Sequence, residues 1–143
     1  MKKVLFAIVC LFSLSVQLVM AEKPVNADQL PVKAQQFLEK YFPNVEVSYA
    51  KQDTDIFDRD YTVVLTNGDK VEFDRNGNWK EVDCEHHQVP AGILPDVISK
   101  YISDKHKGQQ VVEVKKERRH YEVKLQNDLD MEFSLDGKLL KYD

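Results

Sequence analysis

Residues 61–83 read YTVVLTNGDKVEFDRNGNWKEVD, and residues 121–143 read YEVKLQNDLDMEFSLDGKLLKYD. The two stretches align at a constant offset of 60 positions, with the same tyrosine, asparagine, phenylalanine, glycine and aspartate positions in both. Apolar and polar residues alternate in each, which is typical of strands that are buried on one face. Asn76-Gly77 and Asp136-Gly137 are tight-turn signals, because these residues tolerate a positive φ. The pattern predicts an antiparallel meander that occurs twice.

A helix is predicted before each meander, because the apolar period there is that of one helical face. Pro31 suits the first turn of the first helix, whereas Pro95 either starts the second helix or kinks it. The two predicted apolar faces consist of Leu30, Ala34, Phe37, Leu38, Tyr41 and Phe42, and of Ile93, Leu94, Val97, Ile98, Tyr101 and Ile102.

The predicted fold class is α+β, with two tandem helix-plus-meander repeats at residues 30–83 and 89–143. The two repeats are expected to form one curved sheet of up to eight strands, with both helices on one face. Outside the aligned stretches, Val45, Val47 and Tyr49 in the first repeat and Val112 and Val114 in the second are predicted to be buried strand residues. Leu135, within the second aligned stretch, is also predicted to be buried.

The other face of the sheet is predicted to be open and to form a binding surface for a protein or peptide. By alternation it carries Thr62, Val64, Glu72, Asp74, Lys80, Glu122, Lys124 and Glu132.

The first 21 residues have the form of a secretory signal peptide, with Lys2 and Lys3 before an apolar run and Val19-Met20-Ala21 at the expected cleavage site. The alternatives are an uncleaved membrane anchor and a lipoprotein, but the run is short and Cys10 lies inside it. A mature single domain at residues 22–143, periplasmic or secreted and not inserted in a membrane, is the prediction.

Cleavage lowers the number of basic residues from 20 to 18 against 24 acidic ones, so the net charge becomes −6. An acidic chain is unsuited to a phosphate backbone, so nucleic acid is not expected as a partner. Cys84 is then the one cysteine left, so no internal disulfide is expected. The expected oligomeric state is a monomer or a weak dimer.

Lys-Tyr-Phe-Pro-Asn at residues 40–44 and Val-Glu-Phe-Asp-Arg-Asn-Gly-Asn-Trp at residues 71–79 resemble the PepSY-like exported proteins of Bacteroidetes. The resemblance covers essentially the whole mature chain. It implies the tandem-repeat architecture of β-lactamase-inhibitor proteins and, more distantly, the inhibitory role proposed for PepSY domains in propeptides. It implies no catalytic residues and no cofactor.

Cys84, His86 and His87 form a candidate metal-binding cluster, because thiolate and imidazole are ligands of zinc and copper. A polar linker between the repeats explains the same residues. The acidic stretch at residues 53–60 lacks the glycine and glutamate of a calcium loop, and the basic run at residues 115–120 suits a solvated hairpin.

The chain lacks the Gly-x-Ser-x-Gly, His-Glu-x-x-His and Ser-x-x-Lys motifs of hydrolases, so no enzyme is predicted. The leading hypothesis is an exported, non-catalytic binding module, with an inhibitor-like protein as one form of it. The alternative is a metal-binding or metal-sensing protein that uses Cys84, His86 and His87. An unrecognised hydrolase ranks last.

Overall fold

The computed structural model describes residues 22–54 and 57–143, so the predicted signal peptide at residues 1–21 lies outside the described residues. The helices are α1 (Val32–Tyr41) and α2 (Asp96–Lys105). The strands are β1 (Glu22–Pro24), β2 (Val47–Asp53), β3 (Tyr61–Leu65), β4 (Lys70–Phe73), β5 (Trp79–Asp83), β6 (Val111–Lys116), β7 (His120–Leu125), β8 (Asp130–Ser134) and β9 (Leu139–Tyr142).

The nine strands form one antiparallel sheet in which spatial order equals chain order, from β1 to β9. The sequence predicted eight strands and missed β1, which pairs with β2 through Glu22–Asp53 and Pro24–Lys51. Glu-Lys-Pro has no apolar alternation, so it gives no strand signal of its own. Proline lacks the N–H that a second neighbour would need, which suits an edge strand.

Both helices cover the same face of the sheet. A row of apolar side chains in register crosses six central strands and consists of Val63, Val71, Val82, Val114, Val123 and Met131. Phe73 follows Val71 by two residues and so points to the same side, where the ring of Phe37 from α1 lies 5.5 Å away. Phe133 is placed in the same way after Met131, and Tyr101 from α2 lies 5.5 Å from it. The core therefore lies between this face and the two helices.

The second helix begins after Pro95, so this proline starts α2 and does not kink it. Ile98 and Ile102 are buried as expected, whereas Val97 is 59% exposed and the prediction for it was wrong. Val97 lies in the first turn of α2, above Gly137 in the β8–β9 turn, where the sheet ends and covers only part of it.

A β-bulge reverses the expected alternation in β2. Val47 pairs with Leu65, but Tyr49 pairs with Val64, so Ser48 is an extra residue. Ala50 consequently faces the core, and Tyr49 is 44% exposed on the opposite face, contrary to the prediction. Leu135 was also wrongly predicted to be buried, because β8 ends at Ser134 and Leu135 lies in the following turn.

Candidate binding face of the sheet

The open face is the side of the sheet that points away from the helices. Strand register arranges its side chains in two rows that run across the strands. The first row consists of Lys51, Thr62, Glu72, Glu81, Lys115, Glu122, Glu132 and Lys141. The second row consists of Tyr49, Val64, Lys70, Asp83, Glu113, Lys124 and Asp130. Charges of both signs fill most of the two rows.

Six of the eight residues predicted for this face lie in the two rows, namely Thr62, Val64, Glu72, Glu122, Lys124 and Glu132. Thr62 is only 8% exposed, so it offers little surface to a partner. Its side chain is short, and its register partners Lys51 and Glu72 on the neighbouring strands are longer.

Asp74 and Lys80 lie outside the two rows, and each makes polar contacts with other residues of the chain. The Asp74 carboxylate accepts hydrogen bonds from the backbone N–H groups of Asn76 and Asn78, both at 2.9 Å, and so holds the β4–β5 turn. Burial would raise the pKa of Asp74, but the hydrogen bonds from Asn78 and Asn76 lower it overall. Lys80 makes an ion pair with Asp60, which raises the pKa of Lys80.

The centre of the open face carries crowded carboxylates. Lys70 Nζ lies 3.5 Å from both Glu72 and Glu81, which are register partners of like charge. Burial raises the pKa of Glu81, and the negative charge of Glu72 raises it further. An additional cation would therefore be favourable beside this pair.

A second carboxylate pair lies closer to the C-terminus, where Glu122 on β7 faces Glu132 on β8. His120 lies two residues before Glu122 on the same face of β7, and its Nε2 is 3.2 Å from a Glu122 oxygen. One potential ligand atom from each of these three half-buried residues lies within 4.8 Å of the others. In the sequence, His120 belongs to the basic run at residues 115–120, which does not predict this grouping. The His-x-Glu spacing on a strand was the available signal.

A surface cavity of about 200 Å³ adjoins this carboxylate pair on the open face. Its lining includes Glu113, Glu122, Lys124, Asp130, Glu132 and Asp143.

The three residues of the predicted linker cluster, Cys84, His86 and His87, differ in burial and in the groups that they contact. Cys84 is buried beside the Asp69 carboxylate, and Oδ1 of Asp69 lies 3.0 Å from Nδ1 of His87. His86 is exposed and its Nε2 lies 3.8 Å from Glu85. Within residues 22–54 and 57–143, the group of side chains close enough to share a metal ion does not include Cys84.

Asp69 is one of two buried polar residues among those described, and no sequence pattern predicted its role. It follows the Asn67-Gly68 turn and also accepts a hydrogen bond of 2.8 Å from Asn67 Nδ2. Burial, together with the charge of Asp69, raises the pKa of the Cys84 thiol to about 12. The thiolate that would attack an electrophile or bind a metal is therefore suppressed at neutral pH.

We expect Cys84 in the folded mature protein to resist alkylation by iodoacetamide at pH 8 and to react fully in denaturant. Burial restricts access, and the raised pKa removes the nucleophile. Mass spectrometry of the adduct measures both states. A matched control is the double variant Cys84→Ser/His86→Cys, which moves the thiol to a neighbouring exposed position and should react while folded. Rapid labelling of native Cys84 would contradict the burial.

Comparison with known proteins gives the class of this chain. Residues 59–141 match a family model described as "Putative beta-lactamase-inhibitor-like, PepSY-like". The chain belongs to this PepSY-like family, which is not a known enzyme family. A search of curated proteins gave no match.

Solved structures from Bacteroides are similar over most of the chain. A "putative calcium-regulated periplasmic protein" from Bacteroides thetaiotaomicron is 40% identical, with a TM-score of 0.83 over 85% of this chain and 96% of that one. A "putative periplasmic protein" of the DUF2874 family from Bacteroides vulgatus is 38% identical, with a TM-score of 0.83 over 87% of this chain and 98% of that one. A "putative periplasmic protein of unknown function" from Bacteroides vulgatus is 33% identical, with a TM-score of 0.82 over 86% of this chain and 99% of that one.

These relatives confirm the predicted resemblance and the predicted location. The protein is periplasmic or secreted, and its relatives carry periplasmic descriptions. The described residues contain no helix with the length and apolar character needed to cross a bilayer.

Proposed function

We propose that this protein is an exported, non-catalytic binding module whose open face docks onto a protein partner. The observation that carries the proposal is the open face itself. Both helices lie on the other side of the sheet, so two full rows of side chains on this face are left without a covering element.

The chemistry of the face favours a protein over other ligands. Charges of both signs alternate across short distances, as in Lys124 between Glu113 and Asp130, and such a pattern fits the mixed charges of another protein surface. The carboxylate pair at Glu72 and Glu81 would gain from a lysine or arginine of the partner.

Tyr49 and Val64 supply an apolar anchor among these charges. They are register partners on β2 and β3, and Tyr49 is 44% exposed. Tyrosine is enriched at the energetic centres of protein interfaces, because it combines a large apolar body with a polar hydroxyl.

The finer features of the proposal come from the sequence. Tandem repeats at residues 30–83 and 89–143 would make the sheet curve, and a curved open face would clamp a partner of complementary shape. An inhibitor-like action is the form that the family description supports. The module would act as a monomer or weak dimer.

The test is capture of a partner from periplasmic and outer-membrane extract, using the mature protein as bait. We expect the variants Tyr49→Ala and Lys124→Glu to lose the captured protein. Glu39→Lys, a charge reversal on the exposed side of α1, should retain it. A partner that survives both open-face changes, or that is lost with Glu39→Lys, would place the interface elsewhere.

The alternative function, metal binding by Cys84, His86 and His87, has less support. Cys84 would have to leave its buried position and lose a proton that burial and Asp69 hold tightly. Native mass spectrometry of the wild-type protein and the Cys84→Ser variant compares the two functions, since only the alternative requires a metal that this variant loses.

A further inference from the structure

The carboxylates of Glu122 and Glu132 face each other on adjacent strands with incomplete neutralisation. Like charges directly opposite each other in a sheet destabilise it unless a cation lies between or beside them. Among the described residues, the lysine paired with this couple is Lys141, which lies 3.9 Å from Glu132. The same Lys141 Nζ lies 2.7 Å from Asp143, so its charge is shared with a nearer carboxylate. Lys115 is the other neighbouring cation, and its nearest partner is Glu113, at 3.3 Å.

We propose that His120, Glu122 and Glu132 bind a divalent transition-metal ion of the zinc type on the open face. The imidazole of His120 and the two carboxylates each offer one ligand atom within 4.8 Å of the other two. Zinc–ligand distances of about 2.0–2.2 Å place ligand atoms up to about 4 Å apart around one ion, so small side-chain rotations suffice. All three residues are half-buried, so bulk water competes less strongly with their side chains for the metal ion.

The donor set favours zinc over calcium. Calcium takes six to eight oxygen ligands, whereas an imidazole nitrogen with two carboxylate oxygens suits borderline ions such as Zn²⁺. Three protein ligands leave a coordination position for water or for a group supplied from outside the chain. The ion would also supply the positive charge that the Glu122–Glu132 pair lacks.

The equivalent positions sixty residues earlier provide an internal comparison. There the residues are Asp60, Thr62 and Glu72, with Thr62 facing Glu72 as Glu122 faces Glu132. Lys80 makes an ion pair with Asp60, so the first grouping holds its own cation.

In the second grouping, Leu140 stands where the first has Lys80. Both residues occupy the extra position of a bulge, since Glu72 and Phe73 pair with Glu81 and Trp79, and Glu132 and Phe133 pair with Lys141 and Leu139. The second grouping therefore has a histidine in place of Asp60, a carboxylate in place of Thr62, and no lysine at the position of Lys80. An external cation fits this difference.

Zinc titration of the metal-free protein tests the site. The protein is produced from the full chain with export, stripped with EDTA, and titrated with ZnCl₂ by calorimetry, with native mass spectrometry for stoichiometry. We expect one zinc ion per chain. His120→Gln, Glu122→Gln and Glu132→Gln should each weaken binding at least about tenfold, because even outer-shell changes cost 10–100-fold.

Matched variants distinguish this site from zinc binding at the first grouping and at Cys84. Glu72→Gln makes the same change in the first grouping and should leave the zinc affinity within about twofold of wild type, below the 10–100-fold cost of losing a coordinating partner. Leu140→Lys restores the lysine of the first grouping and should weaken zinc binding without removing a ligand. Cys84→Ser should leave binding unchanged. Circular dichroism of every variant confirms that it is folded.

The proposal does not depend on the protein-binding function, because the titration uses the metal alone. Absence of zinc binding by the wild-type protein would overturn it. So would zinc binding that survives both His120→Gln and Glu122→Gln, that falls equally with Glu72→Gln, or that requires Cys84.

Discussion

Replacement of Phe73 by alanine should lower the free energy of unfolding by about 3–5 kcal/mol. The Phe73 side chain is fully buried, and the ring of Phe37 packs edge-on against it at 5.5 Å. The truncation leaves a cavity between α1 and the sheet, and the strand pairs on either side limit how far the backbone can close it. Equilibrium denaturation in urea, monitored by fluorescence of Trp79, measures the loss.

Phe57→Ala is the matched control for this prediction. Phe57 is 87% exposed, so the same truncation there removes little buried surface and should change stability by less than about 0.5 kcal/mol. A loss below about 1 kcal/mol for Phe73→Ala would mean that the site collapses without a cavity or that Phe73 is not at the centre of the core.

Gly77→Ala should cost about 2–4 kcal/mol. Gly77 has a φ of +86°, which an alanine adopts only with strain. A Cβ at this position would also lie 2.8 Å from the backbone nitrogen of Ala34 and 2.9 Å from Cβ of Pro31. These are atoms at the start of α1 that cannot rotate away, so either the helix or the β4–β5 turn would have to move.

Gly68→Ala separates the two causes of this loss. Gly68 has a similar φ of +91°, but no atom lies within 4 Å of the position its Cβ would take. This substitution should therefore cost only the backbone strain, about 1–2 kcal/mol. Thermal or chemical unfolding of both variants gives the comparison. Equal losses would show that α1 does not press on the β4–β5 turn as closely as the structure indicates.

The alternating pattern was sufficient to predict most of the fold. Val63, Val71 and Phe73 are buried where a period of two places them, because one face of each strand meets the helices and the other does not. Tyr49 does not follow this alternation, because a bulge adds one residue to β2 and every side chain after it changes face. A bulge arises from tertiary packing and left no sequence signal that the pattern could use.

The candidate sites were harder to predict than the fold, because most of their residues become neighbours only in the folded chain. The open-face residues followed from alternation, but Asp69 meets Cys84 and His87 only because the β3–β4 turn lies against the linker before α2. His120 and Glu132 are twelve positions apart and become neighbours through the pairing of β7 with β8. Sequence spacing alone does not give the register that produces such contacts.

The unbroken chain order of the sheet has a consequence for how the molecule folds. Most strands find their partner across a short turn, so little chain entropy is lost before each pair forms. Two pairings are different, because a helix and its flanking loops lie between the strands: α1 separates β1 from β2, and α2 separates β5 from β6. Closing the first loop adds only the short edge strand β1, whereas closing the second joins the two halves of the sheet. The main entropic cost of the topology therefore falls on the two pairings that enclose a helix.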